Sequence, residues 1–209
     1  MLCGTNMTDI KISNRSAILR LLHEAGAMSR KQIAARLKLT PATITVIINE
    51  LMNESILVEG NSVPNAGAVG RREVMVEISR EKYVALGLAL SQGLVKFTVV
   101  NLHGEIIHEE TFKLPEILTP EYFAETIGRQ IQLKIASYGY SENFIIGIGI
   151  TVCGVVDFAN GIILDSDGIW EEKNVPIVKM FRKQFSFPVI AANNVRSCLL
   201  YTSPSPRDS

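Results

Sequence analysis

Three apolar helical patterns, separated by breaks of a few residues, run from Asn14 to Leu51, and the residues between them leave little freedom in how they fold. The first, Asn14 to Ala25, places Ile18, Leu21 and Leu22 at i, i+3 and i+4 and is closed by Gly26. The second opens at Ser29, whose hydroxyl can accept from a free backbone N–H while Gln32 reaches back in a capping box. Ile33, Ala34 and Leu37 then face inward. The third opens with Thr40 as N-cap and Pro41 at the first helical position, where a missing N–H costs nothing. Along it Ile44, Ile47, Ile48 and Leu51 make one buried stripe.

The opposite face of that third helix carries Ala42, Thr43, Thr45, Val46 and Asn49, with almost no charge. A solvated face more often carries Lys and Glu. A face without them can approach base edges, with Ala and Thr against thymine methyls and Asn bidentate to adenine. A small helical bundle with an ordinary exposed face is the alternative. The next residues favour the first reading. Ile56, Leu57 and Val58 read as a short strand, and Val74, Val76 and Ile78 alternate as its returning partner. Between them Gly60–Glu73 is a turn-rich tip containing Gly70, Arg71 and Arg72, suited to lie along phosphates or enter a minor groove.

Residues 13–82 therefore read as a winged helix-turn-helix that binds double-stranded DNA, preceded by a disordered stretch, 1–12. Phosphate contacts are expected from Arg30, Lys31, Lys38, Arg71 and Arg72 and base-side contacts from Ala42, Thr43, Thr45, Val46 and Asn49, with Thr40 and Gly70 also counted as DNA-binding. Val46 offers only apolar contact, so base preference is expected to lean on Thr43, Thr45, Asn49 and the wing. Charge agrees in sign. Residues 1–82 hold 11 Lys/Arg against 8 Asp/Glu, net +3, and residues 83–197 hold 9 against 12, net −3.

With 209 residues, 47% hydrophobic and 20% charged, the chain can bury one or two cores. It lacks the roughly 18-residue apolar run of a membrane span. Its N-terminus has no basic-then-apolar signal region, so a cytoplasmic location is expected. Cys3, Cys153 and Cys198 lack C-x-x-C spacing, and His23, His103 and His108 show no ligand pattern. Asp157, Asp165 and Asp167 lack the spacing of a calcium loop and read as solvated turn carboxylates. No cofactor is expected in this chain.

From Tyr83 the period changes to that of strands. YVALGLALS and LVKFTVVN are joined near Gln92-Gly93, and NLHGE leads into a third strand, IIHEETFKL. A helix is predicted over Pro120–Ser137 with Phe123, Ile127, Ile131 and Ile135 on one face. FIIGIGIT reads as a buried central strand. A turn at Asn160-Gly161, a short helix around Pro176–Phe185 and a last strand, PVIAANN, follow. The result is an α/β lobe that is not a Rossmann unit.

The order of these features, from capped helices and a GRR wing through the GIGI strand and G-V-V-D…N-G-I-I…W to A-N-N-V-R, resembles the ROK family of bacterial repressors and sugar kinases. The resemblance covers about residues 13–197. It implies that 83–197 is the first lobe of an actin-like (ribonuclease-H-like) sugar-sensing domain. It also implies a homodimer or higher homo-oligomer on a palindromic operator, released by a sugar or sugar-phosphate effector. A structural zinc is implied only for a longer, intact protein. Asn193, Asn194 and Arg196 are the implied sugar contacts; the Asn pair reads alternatively as a cap on a following helix. Trp170 either lines the sugar cleft, as the resemblance implies, or covers the lobe's edge.

The departures from the family pattern bear on catalysis. ROK kinases carry D-x-G-G-T where this chain has A-L-S-Q-G, so Ala89 stands for the acid and Ser91 and Gln92 for glycines that cradle phosphate. Asn194 stands where the kinases place the aspartate that accepts the sugar hydroxyl proton, and an amide cannot take that proton at neutral pH. The expectation is a repressor with degenerate kinase motifs. A sugar kinase with a DNA-binding head and a DNA binder whose body only dimerises are the alternatives. Residues 198–209 (CLLYTSPSPRDS) break every pattern, resemble translated sequencing adapter, and are expected to be non-native.

Overall fold

A computed structural model describes residues 7–60, 73–114 and 119–194. These divide between Lys82 and Tyr83 into two compact units. Among the described residues no helix is long and apolar enough to cross a membrane.

The first unit is built from α1 (Met7–Ala25), β1 (Met28–Ser29), α2 (Arg30–Leu37), α3 (Pro41–Asn53), β2 (Leu57–Glu59) and β3 (Met75–Ile78). Its caps are the ones its side chains specify. Ser29 Oγ accepts from the Gln32 N–H at 3.3 Å while the Ser29 N–H donates to Gln32 Oε1 at 2.8 Å. Thr40 Oγ1 accepts from the Thr43 N–H at 3.2 Å. Ile18, Leu22, Ile33, Ile44, Ile47, Ile48 and Leu51 are buried together with Leu57, Val76 and Ile78 of the strands. Leu21 and Leu37, expected to face inward, are only half-buried.

One boundary is corrected. Helix α1 begins at Met7, so residues 7–12, expected to be disordered, form its opening turns. Ile18 and Leu22 anchor the helix in the core further along, and extension from an existing helix adds one hydrogen bond per residue fixed. Asp9 sits in the first turn, where the helix dipole favours a negative charge. Lys11 meets Glu50 of α3 at 2.8 Å, and Arg15 reaches Glu54 at 3.0 Å. That hydrogen bond holds the Glu54 carboxyl below its ordinary range. The strands form a sheet in the order β1-β3-β2, all antiparallel, with Met28 opposite Val76 and Leu57 opposite Ile78. Strand β1 is two residues long and has no periodicity to betray it.

The second unit runs β4 (Val84–Ser91), β5 (Leu94–Asn101), β6 (Ile106–Lys113), α4 (Pro120–Ser137), a 3₁₀ turn (Glu142–Phe144), β7 (Ile145–Val152), β8 (Val155–Asp157), β9 (Ile162–Asp165), α5 (Ile177–Phe181) and β10 (Val189–Asn193). Its five-stranded sheet has the order β10-β7-β4-β5-β6. Strands β4, β5 and β6 are an antiparallel meander, and β7 and β10 add in parallel on the other side of β4. Alternate residues of these strands bury Leu86, Leu88, Leu90, Phe97, Ile148, Ile150 and Val189 with Phe123, Ile127, Ile131 and Ile135 of α4. The α5 helix is shorter than predicted, and β8 and β9 form a hairpin where the sequence predicts only its turn.

On the outer strand β6, the Glu110 carboxylate accepts from Lys134 Nζ and from the Tyr138 hydroxyl, each at 2.5 Å. His108 stacks on the Tyr138 ring with centroids 3.8 Å apart. Lys134 above all, then Tyr138, holds the Glu110 carboxyl below its ordinary value, and the carboxylate pushes the Tyr138 phenol up to about 12. A depressed carboxyl stabilises the fold above its unfolded pKa, and that contribution disappears as pH falls through its folded value. Glu110→Gln should therefore lower the melting temperature at pH 7. Melts on descending pH should show the gap to wild type closing below about pH 4.5.

Candidate nucleic-acid interface and ligand edge

Burial of Ile44, Ile47, Ile48 and Leu51 turns the other side of α3 to solvent. Ala42, Thr45, Val46 and Asn49 are exposed there, Val46 to 57%, and Thr43 is half-buried. The outward hydroxyls are already engaged. Thr45 Oγ1 donates to the Pro41 carbonyl at 2.8 Å, a bond back along its own helix. Thr40 and Thr43 share a hydrogen bond of 2.8 Å between their hydroxyls. The Thr45 hydroxyl proton is thus held by its own helix, and one hydroxyl of the Thr40–Thr43 pair donates to the other.

Lys31 and Lys38 are exposed at the two ends of α2, as phosphate contacts require. Lys38 closes the helix in a left-handed conformation, φ 53°, with its N–H bonded to the Ala34 carbonyl. Arg30 differs from expectation. Its guanidinium is folded back onto the unit, donating to Asn49 Oδ1 at 3.4 Å and Met52 Sδ at 3.5 Å, with Glu59 at 4.0 Å. Acceptors on α3 and β2 hold it there, and its Nε is buried with no partner among the described residues. Arg30 thus steadies Asn49 where an outward phosphate contact was expected. A shallow groove of about 420 Å³, lined by Arg30, Lys31, Leu39, Pro41 and Thr45, lies beside it.

The N-terminal part of α1 joins this face, which the sequence reading did not predict. Ile10, 47% exposed, and Asn14 line an apolar groove of about 530 Å³ with Ala42, Thr43 and Val46. The signal is local: Thr8 and Asp9 are helix-start residues, and the apolar pattern continues back from Asn14. Gly70, Arg71 and Arg72 lie outside the described residues.

In the second unit the parallel strands β4, β7 and β10 end at one edge, where ligands of α/β sheets collect. Their ends bring together Ala89-Ser91, Cys153-Gly154 and Asn193-Asn194. Ser91 Oγ donates to the Leu94 carbonyl at 3.3 Å, closing its own turn. The Asn193 side-chain amide donates to the Gly154 carbonyl, and the Asn194 amide donates to Cys153 Sγ at 3.0 Å. The pair expected to meet a sugar or cap a helix thus ties β10 to the turn after β7. Cys153 is half-buried and accepts that bond.

Trp170, expected to line a sugar cleft or to cover the lobe's edge, is buried in the core. It is 8% exposed and packs on Phe123 of α4 with ring centroids 5.3 Å apart. Ser166, also buried, fixes its backbone, with Oγ accepting from the Trp170 N–H and donating to its carbonyl. Arg196 lies outside the described residues. Among those described, no three His, Cys, Asp or Glu side chains gather to hold a metal ion. Asp157 accepts from Asn160 and Asp165 pairs with Lys173 at 3.1 Å, and these partners hold both carboxyls low.

The turn at this edge tolerates only glycine at 154. Its φ is 143°, and a Cβ there would lie 2.0 Å from the Asp165 carbonyl oxygen. Gly154→Ala should cost about 1–3 kcal/mol in urea unfolding. Gly149→Ala, whose Cβ would meet nothing within 4 Å, should be near neutral.

Residues 13–58 match a winged helix-turn-helix DNA-binding family. The chain is 27% identical over 195 residues to the N-acetylglucosamine repressor of Escherichia coli O157:H7, covering 93% of this chain and 47% of that protein. It is 25% identical over 193 residues to the xylose repressor of Caldicellulosiruptor bescii, covering 92% and 47%. The crystal structure of a ROK family transcriptional regulator, a homolog of the E. coli MLC protein, superposes with a TM-score of 0.73. Identity is 25%, over 91% of this chain and 48% of that one. The chain spans about half the length of the curated relatives it matches. Residues 86–201, more than half of its 209, match the ROK family, and the chain belongs to that family.

Proposed function

We propose that this chain carries the DNA-reading head and the first effector-binding lobe of a sugar-responsive transcription repressor. The observation that carries the reading is α3. It is capped at Thr40, buried along Ile44, Ile47, Ile48 and Leu51, and bears no charged residue at its five outward positions, in a chain of the ROK family. An uncharged face of small side chains on the third helix of a winged head is what a major groove accepts. Lys31 and Lys38 flank it, and the sequence supplies Arg71 and Arg72 as further cations for phosphate.

The intact protein acts as a homodimer or higher homo-oligomer. Two such helices then meet successive major grooves of a palindromic operator about 34–36 Å apart. The effector is a sugar or sugar-phosphate bound at the edge shared by β4, β7 and β10. Asn193 and Asn194 shape that edge through their bonds to Cys153 and Gly154. The effector releases DNA by binding one arrangement of the intact protein better than the other. The same edge gives no purchase for phosphoryl transfer: position 89 is Ala, 91 and 92 are Ser and Gln, and 194 is an amide without basicity. The protein is a regulator and not a kinase.

Fluorescence anisotropy of the chain with duplex DNA across a salt series tests the reading. Binding should weaken steeply with salt, and Lys31→Ala and Lys38→Ala should each reduce the magnitude of the log–log slope by about 0.9. Arg72→Ala should weaken binding to all sequences alike. Salt-independent binding, or no loss with these variants, would overturn it.

A further inference from the structure

What α3 presents to a groove is chiefly methyl and methine carbon. The Thr45 hydroxyl is turned back onto the Pro41 carbonyl, which leaves its methyl group at the exposed surface. One turn either side lie Ala42 and Asn49, and beside it Val46, the most exposed large apolar residue of the helix. Asn49 is drawn toward Arg30 through its Oδ1, so the side chain with the most hydrogen-bonding capacity is partly engaged inside the unit. The apolar strip continues past Val46 into the groove shared with Ile10 of α1. Lys and Arg, which read guanine bidentately, are absent from the five outward positions.

We propose that α3 recognises its half-site mainly through thymine C5-methyl groups in the major groove, with Ala42, Thr45 and Val46 as the specificity-determining residues. The inference rests on the DNA-binding reading above and names what that surface selects. The thymine methyl is the only apolar group on a major-groove base edge, and it is the partner an outward-facing row of methyls buries best. A guanine or cytosine opposite Val46 would lose water from its polar edge with no bond in return, which selects against G·C there.

The test uses the 209-residue chain and starts from a random-sequence duplex pool, so no operator has to be specified. Duplexes that bind are sequenced, and the enriched half-site is then resynthesised with deoxyuridine replacing thymidine one position at a time. This substitution removes a methyl and leaves every hydrogen-bonding group in place. At the two or three thymines facing α3, each replacement should weaken binding about fourfold, the scale of burying one carbon. Val46→Ala should abolish the penalty at one of these positions and leave it at the others. Since Val46 is exposed and Ala is a stronger helix former, the variant should keep the fold, with an unchanged circular dichroism spectrum as the check. Salt-sensitive, sequence-selective binding that ignores deoxyuridine would overturn the methyl readout and leave the DNA-binding reading standing. Absence of any duplex binding would overturn both.

Discussion

The seating of one helix governs this protein's first unit. Four apolar residues of α3, Ile44, Ile47, Ile48 and Leu51, are buried against α1, α2 and the small sheet. A helix has only two sides, and committing one to the core decides what the other can offer. The caps at Ser29 and Thr40 fix where α2 and α3 start. Pro41 holds the first turn of α3 while the hydroxyls beside it close local bonds. The outward face is then uncharged and largely carbon. Those properties follow from the packing, and they set the kind of surface this helix can read.

The second unit follows from a different constraint. The β4-β5-β6 meander leaves one edge of β4 unpaired, and α4 must cross over before β7 can add to it in parallel. That crossover carries Phe123, Ile127, Ile131 and Ile135 onto the sheet and draws Trp170 into the core. Parallel strands align their carboxyl ends, so Ser91, Gly154 and Asn193 arrive at one edge without any local signal directing them there. The amides of Asn193 and Asn194 then hold the edge together.

Much of this is legible in the sequence wherever the information is local. A capping box spans four residues, a buried helical stripe eight, and an alternating strand a similar length; each can be read from neighbours. Helix α4 and the meander strands therefore lie where their periodicity puts them. The two-residue β1 has no period, and α1 extends beyond Asn14 because extension of a formed helix needs only weak local propensity. The site is harder to read, since its partners are distant in the chain. Arg30 finds acceptors 19 and 22 residues away, Asn194 finds Cys153 41 residues away, and Trp170 finds Phe123. Residue type suggests phosphate, sugar and cleft for these side chains; tertiary packing gives them partners inside their own units.

The central claim is that α3 is the element that meets DNA. Nuclear magnetic resonance of the chain, titrated with a salt-sensitive duplex, addresses it residue by residue. The amide and methyl signals of Ala42, Thr45, Val46 and Asn49 should shift first and furthest, with those of Lys31 and Lys38 beside them, while buried Ile48 and the α4 core stay put. Shifts that spare α3 and cluster elsewhere on the first unit would contradict it.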